Sequence, residues 1–224
     1  MDVQGALGAL SPPAVVLAAL GAVWGLAADR LATRWPAHDE AEGFLPGRRP
    51  GWRTVVVAAF GAIGLGLLPT RFEAPLDLVL FGAYVLALVV LLATDLDQRL
   101  LPDLLTLPAI PLAFLFALSG QNPLVGDQLL PAIVASIVIP AVLYLPSLAF
   151  GPGAFGLGDV KLLVSVGLVV GAYRAIVGTM VGILLSGVVI VALLATRRIG
   201  LRTFIPFGPF LIIGALWAIL LRTT

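Results

Sequence analysis

Residues 78–94 read LVLFGAYVLALVVLLAT, an apolar run without a single charge, and DLDQRLLPD follows at once over 95–103. A β-strand of an outer-membrane barrel alternates apolar and polar residues over about ten positions. An unbroken run of this kind predicts instead a helix, and one close to the roughly 20 apolar residues that cross a bilayer core. Comparable runs occur at 14–31, 54–69, 104–119, 130–150, 160–173, 175–196 and 204–221, which makes eight spans. The run at 54–69 is short and Gly-rich, and the run at 160–173 is shorter still. The composition agrees. Of 224 residues 60% are hydrophobic and 11% charged, against about 25% charged in a soluble domain. A soluble enzyme and a disordered chain are excluded, and the expected fold class is all-α, a polytopic membrane protein with short loops. The opening segment lacks a basic n-region and an A-x-A site, so it reads as a retained helix.

Charge sets the expected orientation. With the loop 29–53 inside, ten of the thirteen Lys and Arg fall inside, and only Arg71, Arg174 and Arg222 outside. That asymmetry is the one the positive-inside rule describes. No fixed-period repeat or long linker appears, so residues 1–224 read as a single membrane-embedded domain, with 29–53 as its cytoplasmic polar loop. There are no cysteines and one histidine, His38, which excludes disulfides, Cys-based zinc, Fe–S clusters and a His-rich metal centre. No basic stripe suggests nucleic acid.

Five acids fall at the inner side: Asp29, Asp95, Asp97, Asp103 and Asp159. Asp95 closes the long apolar run, and continuing its helix puts Arg99 one turn on, within reach for a charge pair. Asp97 points away from Asp95 and reads as a solvated face. Asp103, after Pro102 and before the next run, reads as a helix N-cap. Asp159 sits in GPGAFGLGDVKLL at 151–163, where the bland reading is again an N-cap. The helix it opens, about 14 residues or ~21 Å, is shorter than the ~30 Å core. An acid set below the membrane surface is a functional hypothesis by default. The neighbouring glycines allow close backbone approach and dihedrals closed to other residues, and their backbone groups can pair with an extended peptide. Two carboxylates on different helices near one face suggest a dyad sharing a proton. One member activates a water and the other polarises an amide carbonyl, with no metal, Cys or His required.

These residues resemble a known family. GLGD at 156–159 matches the GxGD motif of membrane aspartic proteases. With its flank, GLGDVKLL at 156–163 resembles the second active-site motif of type IV prepilin peptidases, and DLDQRLLPDLLTLP at 95–108 resembles the first. IPFGPFL at 205–211 is similar to the family's PFGP segment, and GLAADRLATRWP at 25–36 has the spacing of its GSFLNVVxxRLP element. The resemblance implies Asp95 and Asp159 as catalytic residues, with Gly156, Gly158, Lys161 and Asp103 as substrate-binding or supporting ones. It implies a multi-pass protein of the inner (plasma) membrane with its active site near the cytoplasmic face. The implied substrate is a prepilin-like precursor, of type IV pilins or type II secretion pseudopilins, from which a basic leader is cut. Peptidase action implies no cofactor, and S-adenosylmethionine enters if the family's N-methylation is retained.

Two departures stand out. Many members carry two CxxC pairs, thought to hold zinc, where this chain has the cysteine-free loop 29–53, so no metal is expected. Asp29 also replaces the Asn of the first-helix element. Among competing readings, a presenilin-like protease shares GxGD but pairs it with Tyr-Asp, whereas Asp95 follows Thr94. A proton-coupled transporter would use Asp95 and Asp159 as relay carboxylates, and Pro-broken helices in matching halves would favour it. Pro131, Pro140 and Pro146 crowd one helix, without a matching half.

Overall fold

A computed structural model describes residues 11–36, 50–150, 155–198, 200 and 206–221, without the side chains of 146–150. The described residues form eight α-helices and no strand: α1 (Pro12–Ala32), α2 (Trp52–Leu67), α3 (Pro75–Gln98), α4 (Asp103–Leu118), α5 (Leu129–Phe150), α6 (Leu157–Val170), α7 (Ala172–Ala195) and α8 (Gly208–Leu220), with one 3-10 turn at Leu68–Thr70. The span Trp52–Thr70, which joins α2 to that turn, is together with α1, α3 and α7 long and apolar enough to cross a membrane. Helices α4, α5 as far as Leu145, and α8 are apolar but shorter. Compact packing divides the chain into one unit up to Pro102 and another from Asp103 to Leu221.

In the first unit α1 lies along α2, and both pack on α3. The buried stripe of α1 is Ala14, Gly21, Gly25, Ala28, Asp29 and Ala32, almost all small, while Val15, Val16, Leu20 and Val23 face outward more than half exposed. This inverts the soluble pattern. In lipid a large apolar side chain loses nothing by facing out, whereas small residues let two backbones meet. Gly21 and Gly61 show how closely: a Cβ on Gly21 would lie 2.1 Å from Gly61 O, and one on Gly61 2.2 Å from Gly21 O. Pro75 opens α3, a position where its missing N–H costs nothing. The helix is enclosed toward its C-terminal end, and every residue from 88 to 95 is buried. Trp24 Nε1 donates to Leu86 O at 3.0 Å, tying α1 to it.

In the second unit α5 and α4 pack on α6, and α8 packs on α7. Helix α7 repeats the inverted pattern, burying Ala175, Gly178, Thr179, Gly182 and Ser186 and exposing Leu184, Val188 and Val191. Two sequence expectations need correcting here. Helix α6 ends at Val170, because Gly171 at φ +77° breaks the chain there rather than after residue 173. Arg174, expected in an outer loop, is instead buried in the first turn of α7. Its guanidinium donates to Leu221 O and, at 3.5 Å, to Ala218 O, main-chain acceptors at the end of α8 that the helix itself leaves unsatisfied.

Candidate active site

Asp95 lies inside α3, one turn before its end, and is 5% exposed. The apolar run predicts the helix as far as Thr94, and it continues four residues further. Thr94 keeps its hydroxyl on its own helix, donating to Val90 O and Leu91 O at 3.1 Å. Arg99 takes the left-handed conformation, φ +55°, with its N–H on Asp95 O at 3.0 Å. That geometry is costly for a non-glycine residue and stops the helix. Arg99 therefore lies just past the helix end, and not on the continued helix that the sequence reading assumed.

Asp97 is not a solvated face. Its carboxylate is paired with the guanidinium of Arg53, at the start of α2, and the two side chains are 16% and 9% exposed. Arg53 Nη1 also donates to Leu96 O at 3.3 Å, and its Nη2 lies 3.9 Å from Asp29 Oδ1. Asp29 Oδ2 accepts from Thr54 Oγ1 at 2.7 Å, and Thr54 Oγ1 accepts the Gly51 N–H at 3.2 Å. Gln98 Nε2 donates to Ala32 O at 2.6 Å. Sequence reasoning missed this cluster. Asp97, two residues on from Asp95, lies on a helix face that meets Arg53. Buried ions survive only when paired and hydrogen-bonded, and two acids around one arginine meet that demand.

In the second unit Asp159 is 9% exposed, in the first turn of α6. It is the third helical residue and not the N-cap, which is Gly156. Its Oδ2 accepts the Gly156 N–H at 3.0 Å. A carboxylate at this position is also favoured by the helix dipole. Gly156 has φ −87° and ψ 157°, ordinary extended backbone, so it contributes an N–H and no unusual dihedral. Gly158 is in the same first turn. Lys161 Nζ lies 2.5 Å from Asp103 Oδ1, joining α6 to α4. Asp103 is the first residue of α4, its carboxylate 61% exposed and turned to Lys161, where the sequence had suggested a cap. Phe155, just before Gly156, meets Phe207 of the PFGP segment with ring centroids 5.9 Å apart. The GxGD and PFGP motifs, about fifty residues apart in the chain, thus meet in one unit. Asp95 belongs to the first unit and Asp159 to the second. His38, Asp39, Glu40, Glu42 and the glycines of 151–154 lie outside the described residues.

An open cavity of about 460 Å³ between α5 and α7 is lined by Pro131, Val138, Ile176, Thr179 and Met180 among others, with no titratable side chain. It offers no acid–base chemistry. It also lacks any charged group for the carboxylate of S-adenosylmethionine, so it does not fit that donor.

Residues 82–195, which hold both aspartates, match the family model described as the type IV leader peptidase family. The chain is 34% identical over 134 residues to a prepilin leader peptidase/N-methyltransferase of Aeromonas salmonicida, covering 60% of this chain and 46% of that one. It is 31% identical over 171 residues to the protein of that name from Pectobacterium carotovorum, covering 75% and 58%. For the one from Pseudomonas putida the figures are 30% over 150 residues, 67% and 52%. The matched stretch spans about half the length of these curated relatives. No solved structure matches the chain.

Proposed function

The chain belongs to the type IV leader peptidase family, and from that premise we propose that it is an aspartic endopeptidase of the inner membrane. Its substrate is the basic leader of prepilin-like precursors, cut on the cytoplasmic side, with Asp95 and Asp159 as the catalytic pair. One observation carries the reading. Within the family-matched segment, the aspartate of each motif is buried at a helix end, Asp95 by 95% and Asp159 by 91%. An ionisable group buried within a membrane protein is expensive and marks function by default.

The chemistry follows from the residue types. The ionised carboxylate takes a proton from a water, whose oxygen attacks the scissile carbonyl carbon. The protonated partner donates to the carbonyl oxygen. The tetrahedral intermediate then collapses, the C–N bond breaks, and the new amine leaves with a proton from the dyad. Lys161 and Asp103 support the start of α6 beside Asp159. In this reading the chain crosses the membrane eight times with both motifs toward the cytoplasmic side, a topology that the ten-to-three division of basic residues supports.

The transporter reading is dropped, since the matched family is one of peptidases. Methylation is not assigned to any described residue. The relatives are named as methyltransferases, but the α5–α7 cavity does not fit the donor. The test is incubation of the purified chain with a prepilin-like peptide and mass spectrometry of both products. Cleavage after the basic leader is the expected result, and a methylated new N-terminus would be seen in the same spectrum.

A further inference from the structure

Helix α3 ends at Gln98, so the last carbonyls of the helix, Leu96 O among them, have no partner within it. A terminal turn of this kind frays unless something outside holds it, and Asp95 is in that turn. Three consecutive residues beyond Asp95 are held from other helices. Leu96 O accepts from Arg53 Nη1 at 3.3 Å, the Asp97 carboxylate is paired with the same nitrogen, and Gln98 Nε2 donates to Ala32 O at 2.6 Å. Arg53 is itself buried, 7% exposed, with Asp29 of α1 on its other side and Thr54 holding that carboxylate. A guanidinium is a rigid planar fork with donors on both terminal nitrogens. It is suited to grip a main-chain carbonyl and a carboxylate at one end while facing a second carboxylate at the other.

We infer that Arg53 is a positioning residue for Asp95: anchored against α1 by Asp29, it fixes the last turn of α3 through Leu96 O and Asp97 and so sets where the Asp95 carboxylate stands. The inference rests on the peptidase reading for its consequence in catalysis, and on the hydrogen bonds of the first unit for the tether itself. Catalytic groups must be held to within about half an ångström, and a misplacement near 1 Å costs about 100-fold in rate. An unanchored terminal turn moves by that much.

The test uses the full chain in detergent with a prepilin-like peptide, and it reads two quantities. The first is kcat and KM per folded enzyme. Arg53→Ala lowers kcat by about 100-fold with KM within about threefold, the loss that a 1 Å misplacement brings. Arg53→Lys keeps the charge but not the fork and recovers about tenfold of that, since one ammonium cannot serve both ends. The second is hydrogen exchange at amides 96–99, which speeds up in Arg53→Ala while the middle of α3 stays protected. Asp97→Asn keeps an acceptor oxygen and removes the charge, so it gives a smaller shift in both quantities and carries the test if Arg53→Ala does not fold. Unchanged kcat per folded enzyme, a raised KM with intact kcat, or unchanged exchange at 96–99 overturns the inference. A wild-type chain that cleaves no such peptide overturns the peptidase reading instead, and the exchange data then judge the tether alone.

Discussion

Asp159 combines a structural bond with a proposed catalytic role on one side chain. Its Oδ2 accepts the Gly156 N–H, a bond that helix starts commonly make with an acid at the third position. The same bond orients the carboxylate at the opening of α6, so the structural and catalytic assignments do not compete. Separating them needs a substitution that keeps the bond and removes the acid. Asp159→Asn retains an acceptor oxygen for Gly156 N–H but can neither take nor give the proton. It is expected to abolish cleavage while the protein stays folded in the membrane, and Asp95→Asn is expected to do the same. Detectable turnover near the wild-type rate in either variant, measured by mass spectrometry on equal amounts of folded protein, would end the dyad assignment. Both aspartates were legible because each is embedded in a local motif. The Asp29–Arg53–Asp97 cluster was not, since its members lie 24 and 44 residues apart on three helices and no spacing along one element connects them. The ion pair of Asp103 with Lys161 was missed for the same reason, as its partners are 58 residues apart.

Helices were legible in a way that helix contacts were not. Unbroken apolar runs fix where a membrane helix begins and ends to within a few residues, and each of the eight expected helices is present among the described residues. The break between α6 and α7 was misplaced because the expected runs divide at the charge of Arg174, whereas the positive φ of Gly171 sets the break three residues earlier. What decides the pairing of α7 with α8 is the small-xxx-small pattern at Gly178 and Gly182, a signal present in the sequence. A Cβ on Gly178 would lie 2.6 Å from Gly214 O and 2.8 Å from Ala218 Cβ, whereas one on Gly187 of the same helix meets nothing within 4 Å. The two glycines therefore make a matched pair. Gly178→Ala is expected to destabilise by about 1–3 kcal/mol, the usual cost of overpacking. Gly187→Ala is expected to be neutral, or to gain up to about 1 kcal/mol from helix propensity. Thermal unfolding in detergent checks both, and equal effects at the two sites would show that backbone approach does not control this pairing.

For the whole molecule two properties follow from what the chain contains and how its charges are distributed. With no cysteine and one histidine, a tetrahedral zinc site of the usual Cys/His type cannot be assembled, so chelators are expected to leave cleavage intact and elemental analysis to find no stoichiometric zinc. A chelator-sensitive enzyme would show that carboxylates of the loop 29–53 hold a metal after all. The division into two compact units was not legible, because it falls between Pro102 and Asp103 inside one motif and no linker marks it. The number of crossings is the larger question. Four helices satisfy the length criterion, whereas the apolar runs of the sequence lead to an expectation of eight crossings, and the two counts predict different sides for the same residues. If only α1, α2, α3 and α7 crossed, Arg197, Arg198 and Arg202 would move outside and Arg174 inside, and the basic residues would divide eight to five instead of ten to three. The larger asymmetry favours eight. The cysteine-free chain allows a direct reading with single substitutions and a membrane-impermeant thiol reagent applied from outside. Arg34→Cys is protected and Glu73→Cys labelled under either count. Ser119→Cys labelled and Thr196→Cys protected is the expected pattern for eight crossings. The opposite pattern at those two positions would mean that α4, α5 and α6 do not cross; Asp159, like Lys161 beside it, stays on the inner side under either count, so the labelling decides the number of crossings and not the side of Asp159.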